Sequence, residues 1–159
     1  MKRASLIMAL VAVLALGWSA HVGAADVFVA ELSGAQETPP NSSGATGLMV
    51  AVMNDAQDTL TFRIDYSGLE GMSVNGSHFH DGDPGVAGPI VRGYPAGPGM
   101  EFDLADNSVT DTWTASDAQA LTPALISRLY SGGIYFNIHT LPTWPGGEIR
   151  GQLMYWFSY

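Results

Sequence analysis

At 159 residues the chain has room for one domain with a core of its own, and 47% hydrophobic against only 13% charged residues, with 19 Gly and 9 Pro, favours short strands and many turns over long solvated helices. A formal net charge of −9 repels phosphate backbones and speaks against nucleic acid or an anionic membrane as a partner. With no cysteine there is no disulfide, no thiolate metal ligand, no Cys nucleophile and no lipid-modified N-terminal Cys.

The first 24 residues read as a cleaved secretory signal. Lys2 and Arg3 form a positive start, Ala4 to Gly17 an uncharged apolar run, and Val22-Gly23-Ala24 a small-residue cleavage site. The run falls short of the roughly 20 apolar residues that span a bilayer, and polar Ser19 and His21 keep it from extending further, so an uncleaved anchor is the weaker reading. Cleavage after Ala20 would instead expose His21 as a copper-chelating N-terminus, but Trp18 three residues before that cut argues against it. The mature chain, residues 25–159, is then a single domain without a stable membrane anchor, expected in a periplasm or outside the cell. It carries no lysine and four arginines against 15 acids, a net −11, a surface that attracts cations.

Asp26–Leu32 predicts a first strand, followed by a loop through Ser33–Asn41, where Pro39 and Pro40 forbid regular pairing. Thr46–Met53 and Thr59–Tyr66 predict a hairpin, the second strand alternating Leu60, Phe62, Ile64 and Tyr66 against Thr61, Arg63 and Asp65. A strand carrying His78 and His80 comes next, then a Gly- and Pro-rich stretch, Asp81–Gly99, with a short edge strand at Pro89–Arg92. Ser108–Thr114 is a further strand, and Ser116–Gln119 offers a helix start. Thr122 as N-cap with Pro123 at the first helical position predicts a helix ending at Ser131-Gly132-Gly133. Ile134–Thr140, a turn over Leu141–Gly147 and a closing strand Glu148–Trp156 complete an all-β chain with one short helix. Its seven to nine strands predict an antiparallel β-sandwich or flattened Greek-key barrel.

The histidines supply the chemistry. On a strand, His78 and His80 share a face about 7 Å apart while Phe79 points the other way. In Tyr135–Thr140, Phe136 and Ile138 take the apolar face and Asn137 and His139 the opposite one, so pairing of the two strands brings a third imidazole to the same patch. Every histidine beyond residue 24 lies in these two stretches. Three imidazoles suit copper and zinc, with copper the expected ion and zinc the less expected one; the plainer alternative is histidines hydrogen-bonded to backbone or carboxylates. Asp81 and Asp83 are the nearest candidates for a fourth ligand or an imidazole-orienting carboxylate, with turn formation as their plainer role. Asn137 either orients a ring or bonds the sheet. In a closing hairpin Arg150 approaches His139, and a Glu148–Arg150 ion pair is expected. The aromatic ending, Met154–Tyr159, is the end of a packed edge strand or a docking patch.

Four stretches together resemble the CHRD domain, first described in chordin: Leu32–Pro40, Ser77–Gly82, Gly133–Thr140 and Pro145–Leu153. The resemblance implies an immunoglobulin-like or superoxide-dismutase-like β-sandwich whose biochemical role in bacterial members is poorly defined. A fainter resemblance to copper/zinc superoxide dismutases aligns His78, His80 and His139 with copper ligands and Arg150 with an anion-guiding arginine. It lacks the bridging histidine, the zinc cluster and the disulfide, so Arg150 would be catalytic only in a dismutase-like protein. The expected function is thus an exported protein that binds copper, less readily zinc, through three histidines for metal handling or storage. A non-catalytic module that binds an extracellular protein partner is the alternative, and a dismutase-like enzyme a further one.

Overall fold

The computed structural model describes residues 25–94, 101–103 and 107–158; the expected leader, 1–24, and Tyr159 lie outside the described residues. Ten strands and one helix run in the order β1 Asp26–Ser33, β2 Thr46–Met53, β3 Thr59–Ser67, β4 Ser73–Asp81, β5 Ile90–Tyr94, β6 Glu101–Asp103, β7 Ser108–Thr114, α1 Pro123–Tyr130, β8 Ile134–Leu141, β9 Trp144–Gln152 and β10 Met154–Ser158. All described pairings are antiparallel, in the order β5-β4-β8-β9-β1-β2-β3-β7-β6 with β10 also on β1. The sheet curls into an open half-barrel, nearer the flattened barrel than two separate sandwich sheets, because Ser33 opposite Arg150 joins the β9 and β1 halves.

Alternation decides which way each strand faces. In β3, Leu60, Phe62, Ile64 and Tyr66 are buried and the residues between them are partly open. Inside the curl, Phe62 and Trp113 of one half meet Phe79 of the other at ring centroid distances of 5.0 and 5.1 Å. Val27, Val29, Val50 and Val52 form a second apolar cluster on the opposite face of β1 and β2. The edges of the curl are tied by Arg92 of β5, which donates to the Thr112 carbonyl at 2.7 Å and to the Asp111 carboxylate of β7.

Ten strands exceed the expected seven to nine, β6 is unexpected, and a 3-10 turn at Gly34–Gln36 stands in the expected loop; two further elements also depart from expectation. Ser116–Gln119 starts no helix, because the Asp117 carboxylate accepts from the Thr114 backbone N–H at 2.9 Å and from its hydroxyl at 2.8 Å, closing a turn instead. The closing strand starts earlier, at Trp144, and is interrupted at Leu153. Its pairing to β1 nonetheless keeps one register from Ser33 opposite Arg150 to Phe28 opposite Tyr155, shifting only between Phe28 and Val27, so β10 continues β9 along β1 beyond the end of β8. The helix forms as predicted, Thr122 Oγ1 accepting from the Leu125 N–H. No helix among the described residues is long and apolar enough to cross a membrane.

Candidate metal centre

The pleat of β4 sends Phe79 into the core, 4.9 Å from the Phe136 ring, and places His78 and His80 on the outer face with ring centroids 5.5 Å apart. On the adjacent β8, Phe136 and Ile138 are fully buried in the core, leaving Tyr135, Asn137 and His139 for the outer face. The register sets His80 opposite Tyr135, His78 opposite Asn137 and Gly76 opposite His139, with an irregularity between Val74 and Gly76. The third imidazole does reach the first two: the His78 and His139 rings lie 4.8 Å apart, and one ligand nitrogen from each of the three histidines lies within 4.8 Å of the others.

Main-chain carbonyls determine which nitrogens are open. His80 Nδ1 is 2.8 Å from the Gly88 carbonyl oxygen, and His139 Nδ1 is 3.0 Å from that of Pro145. A carbonyl only accepts, so both Nδ1 atoms carry the proton and both Nε2 atoms keep a lone pair. His78 Nδ1 then donates to His139 Nε2 across 3.2 Å. Burial, with His139 and His80 close by, holds the His78 imidazole down at about 4. Burial also keeps His80 below the usual imidazole value, against the opposing pull of the Gly88 and Asn137 oxygens, which favour the charged ring. At neutral pH these two rings are uncharged, the form in which imidazole binds a cation.

A protein-family model described as the CHRD domain matches residues 28–153. The chain belongs to the CHRD-domain family. No curated protein and no solved structure matches it. The matched span takes in all three clustered histidines and Arg150.

In this CHRD domain Arg150 is placed otherwise than expected. The β8–β9 hairpin forms, but Arg150 stands opposite Asn137 and is only 2% exposed. Its guanidinium lies over the Tyr135 ring at 3.4 Å and donates to Thr38 Oγ1, the Asp83 and Val86 carbonyls and Gln152 Oε1. None of its bonds goes to a histidine. The Tyr135 ring also stacks on His80, centroids 4.5 Å apart, so tyrosine separates the imidazole from the guanidinium. The expected Glu148–Arg150 pair does not form: Glu148 is fully buried and accepts from Ser43 Oγ, the Glu70 N–H and the Thr140 hydroxyl. Asp81 and Asp83 are likewise engaged elsewhere, each 2.7 Å from the Arg128 guanidinium of α1.

Two glycines make the slot for His78. A Cβ on Gly76 would sit 2.9 Å from His78 Cε1, and one on Gly93 of β5 only 2.6 Å from its Cδ2. Gly93→Ala should therefore displace the ring, cost about 1–3 kcal/mol of stability and break the His78–His139 contact. Urea unfolding and imidazole 15N shifts measure the two effects. Gly146→Ala is the silent control, since a Cβ there meets nothing within 4 Å.

Sequence reasoning passed over Tyr135 and Glu37. Tyr135 was within reach, because the same alternation that puts Asn137 and His139 on one face puts Tyr135 there too. Glu37 had no such signal. It comes from the proline-bearing loop, is 7% exposed, and accepts from Asn137 Nδ2 at 3.5 Å. Burial pushes its carboxyl up to about 7, against the lowering effects of Asn137, the Thr38 backbone and Arg150. An open groove of about 610 Å³ runs past Glu37, Pro39, Trp144 and Pro145; no histidine lines it, so groove and cluster share walls and not an interior.

Proposed function

We propose that this CHRD domain is an exported metal-binding protein that takes copper, and less readily zinc, at His78, His80 and His139 for handling or storage. The observation that carries the reading is the pair of carbonyl-held imidazoles. Metal-binding histidines characteristically donate their second ring N–H to a backbone or carboxylate oxygen, and Gly88 and Pro145 supply that for His80 and His139. Donor spacing agrees: with bonds of 2.0–2.1 Å, neighbouring ligands stand about 2.9 Å apart in the square plane of Cu(II) and about 3.3 Å apart on tetrahedral Zn(II), and His78 Nδ1 is 3.2 Å from His139 Nε2. A metal held there would take the place of the proton between them, and His78 would carry its proton at Nε2 instead. Export rests on the charged, apolar and small-residue order of residues 1–24.

Calorimetric titration of residues 25–159 with Cu(II) and Zn(II), beside the His78→Ala, His80→Ala, His139→Ala triple variant, tests it. Histidine-dependent binding tighter than micromolar is expected, and its absence discards the reading. A second reading, a module that binds an extracellular protein, draws on Met154, Tyr155 and Trp156, each about half exposed along β10. The dismutase-like variant draws no support from Arg150, whose guanidinium is enclosed by loops.

A further inference from the structure

Asn137 lies at the centre of the cluster rather than at its edge. It is 3% exposed, opposite His78 in the β4–β8 register, with Oδ1 3.2 Å from His80 Nε2. Its amide nitrogen turns the other way, toward Glu37 Oε1 at 3.5 Å, and the oxygen is the atom that faces the histidines. His80 has one proton in its neutral form, and that proton is held at Nδ1 by the Gly88 carbonyl 2.8 Å away. His80 Nε2 and Asn137 Oδ1 therefore face each other as two lone pairs with no hydrogen between them. Buried acceptors in that arrangement repel unless a cation lies between them. Their 3.2 Å separation repeats that of His78 Nδ1 and His139 Nε2, and both lie between the roughly 2.9 Å edge of a square-planar ligand set and the roughly 3.3 Å edge of a tetrahedral one.

We propose that Asn137 Oδ1 is the fourth donor, completing a site of three imidazole nitrogens and one amide oxygen that takes a divalent ion, Cu(II) or Zn(II), in preference to Cu(I). This rests on the reading of the three histidines as ligands and deepens it. The amide oxygen is a hard donor, and the site lacks the thiolate or thioether sulfur that favours Cu(I). Glu37 acts as a positioning residue: by accepting from Nδ2 it holds the oxygen inward.

The test compares wild type with Asn137→Ala and Asn137→Asp in residues 25–159. Zn(II) affinity is read by calorimetry, Cu(I) affinity by chelator competition under reductant, and the Cu(II) site by electron paramagnetic resonance; thermal unfolding of each metal-free variant checks folding. Asn137→Ala should weaken Zn(II) at least tenfold while changing Cu(I) less. Asn137→Asp, which keeps an oxygen in place, should restore Zn(II) binding and shift the parallel copper hyperfine splitting from the wild-type value. If histidine-dependent binding persists but Asn137→Ala leaves Zn(II) affinity within twofold and Asn137→Asp leaves the copper spectrum unchanged, the fourth-donor assignment is overturned and the three-histidine reading stands. If wild type binds neither ion, both fall. Should Asn137→Ala not fold, the spectrum of Asn137→Asp decides alone.

Discussion

Arg150→Met is expected to lower the unfolding free energy by about 3–5 kcal/mol, a large share of the roughly 5–15 kcal/mol that a domain of this size holds. The side chain is 2% exposed and ties three segments together: Thr38 of the loop after β1, the Asp83 and Val86 carbonyls of the loop after β4, and Gln152 on its own strand. It has no carboxylate ion pair among the described residues; burial draws its pKa below the usual arginine value, with Tyr135 and Glu37 pulling the other way. Methionine fills the space of the stem but leaves four acceptors without a donor, each costing about 1–3 kcal/mol when it stays buried. Relaxation of the two loops into water trims that sum. Arg150→Lys should recover less than half of the loss, because an ammonium has neither the planar fork for four acceptors nor a flat face for Tyr135. Urea midpoints at unchanged slope give the comparison, and a cost below about 1 kcal/mol would show that the loops do not depend on the guanidinium. The loop pinned through Asp83 and Val86 also presents Gly88 to His80, so the same substitution should loosen that imidazole.

Periodicity made much of this legible beforehand. In β3 the alternation was unbroken, and each expected core residue is buried. The same two-residue period placed His78, His80 and His139 on one outer face, and neighbouring strands did the rest, since β4 and β8 pair along nearly their whole length. The identity of what covers that face was beyond sequence. Arg150 was assigned to the polar side of β9 and is there, yet its partners Thr38 and Val86 lie 112 and 64 residues away in loops with no period to read. The irregularities between Val74 and Gly76 and between Ile138 and Thr140 were invisible for the same reason, and around the second of these Glu148 is directed to Ser43, Glu70 and Thr140 rather than to Arg150. Turn chemistry misled at Ser116–Gln119, where a short polar cluster that caps helices equally well closes a turn.

Glu37→Gln should stabilise the protein at pH 8 by about 2–3 kcal/mol and leave it unchanged near pH 4. The carboxyl is 7% exposed and burial raises its pKa from 4.5 to about 7, so between those values the folded state holds a proton that the unfolded chain has released. Stability from this group is complete below 4.5, declines as pH rises toward 7 and is lost above it. Glutamine keeps the acceptor for Asn137 Nδ2 and has no charge to bury, so its variant lacks the decline. His78 slopes the opposite way. Its folded value of about 4 lies below the 6.5 of the free imidazole, so the unfolded chain takes up a proton the folded one refuses, and stability falls as pH drops from 6.5 toward 4. In wild type the two slopes oppose each other over the window they share, flattening the pH profile of the metal-free protein. Removing Glu37's charge uncovers the histidine slope, and Glu37→Gln should then gain stability steadily from pH 4 to 6.5 where wild type is nearly level. Urea titrations at half-unit pH steps resolve the two contributions. A difference between variant and wild type that is the same at pH 4 and pH 8 would mean that Glu37 is not held protonated by burial.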